Sequence, residues 1–102
     1  MRSRPVDVAE VKGQIPPLDF YRAELAGMPA PRRDRGWVDG GLCPFHDDHR
    51  AGSFMVNWDP GAFICFSCGA RGVDVVALVQ MRDGMDFQTA LQVLANAWGI
   101  RT

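Results

Sequence analysis

Hydrophobic residues alternate with other residues in the middle of the chain, at Phe54, Val56 and Trp58. A period of two is typical of a strand with one buried face. Asp-Pro-Gly follows at 59–61, and this sequence favours a tight turn because proline fixes φ and glycine accepts a positive φ. The segment 62–66 is again apolar. The pattern therefore predicts an antiparallel hairpin around this turn.

A helical period replaces this alternation nearer the N-terminus. Leu18, Tyr21 and Leu25 fall on one face of a predicted short helix, with Pro17 in its first turn and Gly27 as its C-terminal stop. Trp37 and Val38 predict a further strand before a Gly-Gly turn.

Two more helices are predicted after Gly72, the first of them ending at Gly84. The second has Asp86 as N-cap and Gly99 as stop, and five of its residues share one face: Phe87, Ala90, Leu91, Leu94 and Trp98. The sequence thus predicts an α+β fold, a small antiparallel β-sheet with flanking N-terminal and C-terminal helices. We expect residues 1–14 to be a polar lead-in and residues 15–102 to form one domain, with the C-terminal helices at about 73–98.

The formal net charge is −1, so the overall charge favours neither a nucleic acid nor a membrane as partner. Seven of the eleven Arg and Lys residues nevertheless fall within residues 1–35. No apolar run approaches the roughly 18 residues of a membrane span, and the N-terminus has no apolar signal-peptide core. We expect a cytoplasmic protein without membrane contact, in which three cysteines fit metal binding better than disulfides.

Cysteine and histidine spacing carries the strongest chemical signal. Cys43-x2-His46 and Cys65-x2-Cys68 are two half-sites separated by 18 residues. Two residues between ligands let one tight turn direct both side chains at a single ion, and two such turns complete the tetrahedron that Zn²⁺ prefers. Four protein ligands leave no open position, so the sequence predicts one structural zinc ion, in a site spanning residues 43–68.

Other residues near this site have weaker interpretations. His49 is a rival ligand to His46, although the C-x2-H turn is the tighter match. Asp47 and Asp48 are adjacent and tend to point apart, which favours a solvated loop over an acid/base pair. The sequence has no phosphate-binding loop or nucleophile triad, so we expect no enzymatic activity from this chain alone.

The motifs "LCPFH", "SF" and "FICFSCGARG" together resemble the CHC2-type zinc-binding domain, a zinc ribbon, at the N-terminus of bacterial and phage DNA primases. The resemblance covers roughly residues 15–100, and C-P-F-H with C-F-x-C-G is its most specific part. It implies the same four zinc ligands, Cys43, His46, Cys65 and Cys68. The sequence departs from the family in the loop after His46, which is one residue longer and lacks a proline, and at Val73, where the family has Asp or Asn.

The resemblance also implies a function. The family's domain engages single-stranded template DNA and supports selection of the start site for primer synthesis, while a toprim-type polymerase core, absent from these 102 residues, performs the catalysis. We therefore expect either an excised accessory domain of a primase, which is a nucleotidyltransferase, or a stand-alone relative. The candidate DNA contacts are arginines for phosphates and aromatic rings for bases: Arg32, Arg33, Arg35, Arg50, Arg71, Phe54, Trp58, Phe63 and Phe66.

An alternative from a different functional class is a zinc-ribbon adaptor that docks on a protein partner. Partners of that kind are the primase polymerase domain, a separate polymerase or a helicase. The mild acidity of the chain and the lack of a catalytic core keep this alternative open.

Overall fold

The computed structural model describes residues 8–25, 27–46 and 52–100. Within them, four helices flank a four-stranded sheet, and the α+β prediction is confirmed. In chain order the elements are α1 (Val8–Gln14), α2 (Pro17–Glu24), β1 (Trp37–Asp39), β2 (Phe54–Asn57), β3 (Phe63–Cys65), β4 (Arg71–Gly72), α3 (Val75–Asp83) and α4 (Phe87–Ala97).

The sheet is an antiparallel meander with strand order β1-β2-β3-β4. Its strands alternate between buried and accessible residues, as a period of two requires. One face packs into the core through Val38, Phe54, Val56, Phe63 and Cys65. The opposite face, called the open face below, consists of Trp37, Asp39, Met55, Asn57, Ile64 and Arg71.

Register fixes the order of side chains across the open face. Asp39 pairs with Met55, Met55 with Ile64, and Ile64 with Arg71, so these four residues form one row across all four strands. Trp37 pairs with Asn57 in the neighbouring row.

The predicted hairpin is confirmed, because β2 pairs with β3 around the turn at 59–61. Strand β4 was missed. It has only two residues, and Gly72 is required there because a Cβ would lie 2.5 Å from Cε1 and Cζ of the Phe63 ring. Two residues are too few for a periodic pattern, so this strand could not be predicted from the sequence.

The expected polar lead-in is wrong for residues 8–14, which form helix α1. Its Val11 is fully buried, and so is the nearby Ile15. Lys12 forms an ion pair with Asp74 at 2.6 Å, which ties α1 to the start of α3. One buried residue per turn is a weak sequence signal, but the resulting helix packs against α4.

Helix α2 begins at Pro17 as predicted and buries Leu18, Phe20 and Tyr21. It ends at Glu24 rather than at Gly27, because Leu25 is already extended. The Tyr21 hydroxyl donates a 2.5 Å hydrogen bond to the Gly61 carbonyl. This buried bond joins α2 to the turn between β2 and β3.

Both predicted C-terminal helices are present; Asp86 caps α4 as predicted, whereas the capping role of Asp74 in α3 was not predicted. Asp74 and Asp86 each accept a hydrogen bond from a backbone N–H three residues on, and Gly84 ends α3 at φ 65°. Phe87 does not share the buried face of α4, since its side chain is 37% exposed. No helix in the described ranges is long and apolar enough to cross a membrane.

Candidate metal centre and nucleic-acid interface

Four potential metal donors converge at one end of the sheet. The ligand atoms of Cys43, His46, Cys65 and Cys68 all lie within 4.8 Å of one another. The Sγ atoms of Cys43 and Cys68 are 3.8 Å apart. Two thiolates on a tetrahedral zinc ion, each with a Zn–S bond of about 2.3 Å, would be separated by about 3.8 Å. The donor set and its spacing therefore fit one zinc ion.

The first half-site, Cys43 and His46, is positioned by the bend that follows β1. Gly41 has φ 82°, and a Cβ there would lie 2.9 Å from the Gly27 carbonyl oxygen. Its backbone N–H donates to the Asp39 carboxylate at 2.8 Å. After this bend, the backbone N–H of Phe45 donates to the Cys43 sulfur at 3.4 Å. Such N–H···S contacts stabilise a negatively charged sulfur, as expected of a metal-binding turn.

The second half-site continues directly from β3. Cys65 donates its backbone N–H to the Ala70 carbonyl at 2.8 Å, and its own carbonyl accepts from Gly69 at 2.9 Å. Gly69 has φ 81°, which closes the turn around Cys68. The next residue after Ala70 is Arg71, so the metal-binding turn leads without a linker into β4.

The pKa values of two of the thiols are shifted in opposite directions, one by burial and the other by hydrogen bonding. Burial raises the pKa of the Cys43 thiol to about 12. Burial also acts to raise the pKa of Cys65, but the backbone N–H groups of Cys68 and Ser67 donate to that sulfur and hold its pKa below the usual value. A bound metal cation favours the thiolate form of every cysteine that it contacts.

Three phenylalanine rings anchor the metal-binding turns to the sheet. The Phe45 ring stacks on Phe63 at a centroid distance of 5.5 Å, and both contact Phe54 at about 6 Å. Phe54 and Phe63 are 0% and 1% exposed. The expectation that these two rings stack on DNA bases is therefore wrong, since alternation identifies a common face but does not say which face is buried.

Trp58 is half-buried, and its polar edge has a partner within the chain. The indole N–H donates to the Arg33 carbonyl at 2.9 Å, and the backbone N–H donates to the Gly36 carbonyl at 3.0 Å. These two bonds hold the segment that carries the exposed Arg32, Arg33 and Arg35, called the arginine segment below. The structure thus gives Trp58 a positioning role that the sequence did not predict.

Of the four aromatic rings predicted as DNA contacts, only Phe66 is well exposed; the other exposed ring on this side of the molecule, Trp37, was not among them. Phe66 is 72% exposed in the second metal-binding turn, and Trp37 is 40% exposed on the open face. Arg71 is exposed as well. The sequence analysis predicted Trp37 on a strand but did not select it as a binding residue. The available signal was that Trp37 precedes Val38, so that the two side chains point to opposite faces of the strand and only one of them can be buried.

Two grooves flank Trp37. One lies between Trp37 and the arginine segment and is also lined by Met55 and Asp39. The other has a volume of about 540 Å³, and six of its lining residues are Trp37, Pro60, Ala62, Ile64, Arg71 and Val73. Val73 is 70% exposed. We call this second cavity the Trp37 groove.

Several predicted positions lie outside the described residues, namely Asp47, Asp48, the rival ligand His49 and the candidate DNA contact Arg50.

The profile of the CHC2 zinc finger family matches residues 31–102. The chain belongs to the CHC2 zinc finger family. Its resemblance to that family and the prediction of one zinc ion are confirmed by this match together with the four-donor cluster.

DNA primases are among the similar proteins. The DNA primase of Streptomyces coelicolor is 42% identical over 94 residues, which are 92% of this chain but 14% of that protein. The DNA primase of Deinococcus radiodurans is 43% identical over 61 residues, 60% of this chain and 10% of that protein. This CHC2 zinc finger chain therefore spans about a tenth to a seventh of the length of these relatives.

A solved structure shares the fold. The crystal structure of the zinc-binding and RNA polymerase domains of the Aquifex aeolicus primase matches with a TM-score of 0.68 and 26% identity, over 97% of this chain and 22% of that chain.

Proposed function

We propose that this chain is the zinc-dependent, single-stranded-DNA-binding module of a primase-type protein, which engages template DNA and supports selection of the start site. The observation that carries this proposal is the position of Trp37. Its exposed ring lies on the open face with the arginine segment on one side and Arg71 on the other. A stacking ring between cations is the arrangement that single-strand-binding surfaces use.

The proposal assigns the zinc ligands to Cys43, His46, Cys65 and Cys68. Zinc bound by these residues would hold the two metal-binding turns together as a structural ion. The backbone bond between Cys65 and Ala70 then fixes the residue that follows, Arg71. A guanidinium on a rigid turn loses less conformational entropy on binding a phosphate than one on a loose loop.

The arginine segment supplies the second set of phosphate contacts. All three of its arginines are exposed. Trp58 fixes the backbone of this segment by donating hydrogen bonds to the carbonyls of Arg33 and of Gly36, which follows Arg35. Because the chain has a net charge of −1, its attraction for DNA depends on this local cluster rather than on the overall charge.

The wider context of the module follows from its relatives. The chain corresponds to a small part of each DNA primase that it matches, so we propose that polymerisation belongs to a separate polymerase domain, with which this module works in the cytoplasm. Other candidate partners are a replicative helicase or a separate polymerase subunit.

The proposal is tested by fluorescence anisotropy of short single-stranded oligonucleotides titrated with zinc-loaded protein at several salt concentrations. Each phosphate contact adds about 0.7 to the slope of log affinity against log salt for a single strand. Arg71→Ala should reduce the slope by about that amount and weaken all sequences similarly. Arg22→Ala is the matched control, because Arg22 is also exposed but lies on α2, which packs against the buried side of the sheet.

An absence of binding by the wild type at low salt would refute the single-strand proposal and favour the protein-adaptor alternative. An equal loss of affinity in Arg22→Ala and Arg71→Ala would place the DNA elsewhere on the surface.

A further inference from the structure

The Trp37 groove differs in chemistry from the rest of the proposed DNA surface. Of its lining residues, only Arg71 and the indole N–H of Trp37 contribute polar side-chain groups; the others are apolar. Its volume of about 540 Å³ lies within the range of small-molecule pockets. A long phosphodiester backbone needs a row of cations, which this groove lacks.

The sheet register explains how the groove forms. Ile64 and Arg71 are directly paired on β3 and β4, and Gly72 follows Arg71. The Phe63 ring packs beneath Gly72 on the core side of the sheet, and the residues that line the groove give it a mostly apolar floor. Trp37, which comes from the far edge strand, and Val73 stand above this floor with 40% and 70% of their surfaces exposed.

Exposed apolar surface beside a single cation is complementary to one particular kind of group. A flat uncharged ring can cover the apolar floor while an attached negative charge reaches the guanidinium. A nucleotide of single-stranded DNA has both parts, and the arginine segment on the other side of Trp37 supplies the cations that the adjoining phosphates need.

We propose that the Trp37 groove binds one unpaired base of the DNA strand, stacked against the Trp37 indole, with the neighbouring phosphate on Arg71. This inference rests on the proposed function and adds to it the position of the base. The groove provides apolar surface for stacking but few hydrogen-bonding groups that could distinguish one base from another. It therefore favours the larger purines over pyrimidines without being specific for a single base. Trp37 is thus the residue that sets the base preference of this surface.

The experiment uses zinc-loaded full chain labelled with 5-fluorotryptophan, whose ¹⁹F spectrum reports Trp37, Trp58 and Trp98 separately. Short deoxyadenosine and deoxycytidine strands are added, and their affinities are measured by anisotropy in parallel. We expect the Trp37 resonance to shift on binding. The Trp98 resonance should stay in place, because that ring packs against Phe20 in the core.

Substitutions complete the design. Trp37→Ala should weaken the adenine strand by about fivefold or more and remove the purine preference, whereas Trp37→Phe should retain most of both. The salt slope should be the same in both variants, since neither changes a phosphate contact.

Two results would overturn the inference in distinguishable ways. DNA binding with an unmoved Trp37 resonance, or with the purine preference intact in Trp37→Ala, would refute the base pocket and leave the proposed function standing. A lack of DNA binding by anisotropy would refute the proposed function and the pocket together.

Discussion

At the scale of single residues, glycines make room for the phenylalanine rings that support the metal site. A Cβ at Gly40 would lie 2.6 Å from Cδ2 of Phe54, and one at Gly72 would lie 2.5 Å from the Phe63 ring and 2.9 Å from the Ala77 side chain. These rings in turn hold Phe45 between the two ligands of the first half-site. The packing under the metal centre therefore depends on residues without side chains.

Gly72→Ala should lower the free energy of unfolding by about 1–3 kcal/mol, since a ring locked among two other rings cannot move aside. Gly13→Ala is the control: nothing lies within 4 Å of its Cβ position, and alanine in a helix should stabilise by about 0.5–1 kcal/mol. Urea unfolding of both zinc-loaded variants measures the difference. Equal stabilities would show that the ring can move aside.

The thiol chemistry gives zinc binding a definite dependence on pH. Because burial raises the pKa of Cys43 to about 12, this thiol is protonated at neutral pH and must release its proton to bind zinc. The affinity for zinc should therefore fall as the pH is lowered. Calorimetric titrations in buffers of different ionisation enthalpy should show net proton release, and a buffer-independent heat would argue against ligation by this thiol.

The cluster of four potential metal donors was predictable from the sequence because each half-site is local, with its two donor residues three positions apart. The exposed rings were predictable only in part: Phe66 was named and is exposed, but which face of a strand is buried depends on what packs against it. Phe54 and Phe63 were expected on the surface and lie in the core, whereas Trp37 was not singled out and is exposed. The Phe54 face of β2 and β3 is the buried one because α2 and the Phe45 ring pack against it.

At the scale of secondary-structure elements, Asp74 connects two helices, α1 and α3. Its side chain is buried, it caps α3 by accepting from the Ala77 backbone N–H at 2.9 Å, and it pairs with Lys12 of α1. A cap can be predicted from the sequence, as Asp86 at the start of α4 illustrates. Helix α1 was missed because what stabilises it is this distant ion pair and the burial of Val11, not a strong local pattern.

Asp74→Ala should destabilise the protein by about 0.5–2 kcal/mol through loss of the cap, and further through loss of the Lys12 contact. Asp74→Asn retains the capping oxygen and should lose less. Lys12→Ala serves as a reference for the ion pair alone. The ordering of the three variants in urea unfolding is the measurement; an Asn variant no better than Ala would show that the charge, not the cap, is what matters.

At the scale of the whole molecule, the sheet and helices share one core whose sheet end carries the metal-binding turns. Without the ion, three thiols and an imidazole lose the interaction that holds those turns together, and metal-binding free energy becomes folding free energy. A strong chelator should therefore remove the cooperative thermal transition or lower its midpoint greatly. Some helical far-UV signal should remain, because α3 and α4 pack on each other. An unchanged melt after confirmed zinc loss would contradict this dependence.

The central claim is that zinc-supported strands present their open face to single-stranded DNA, and it is tested most directly by ¹H–¹⁵N NMR. A short single strand is titrated into the labelled, zinc-loaded chain. We expect shifts of the Trp37 indole and of the backbone of Ile64, Arg71 and Val73, with α4 unaffected. Shifts confined to α4, around the exposed Val93, with the open face unmoved, would contradict it.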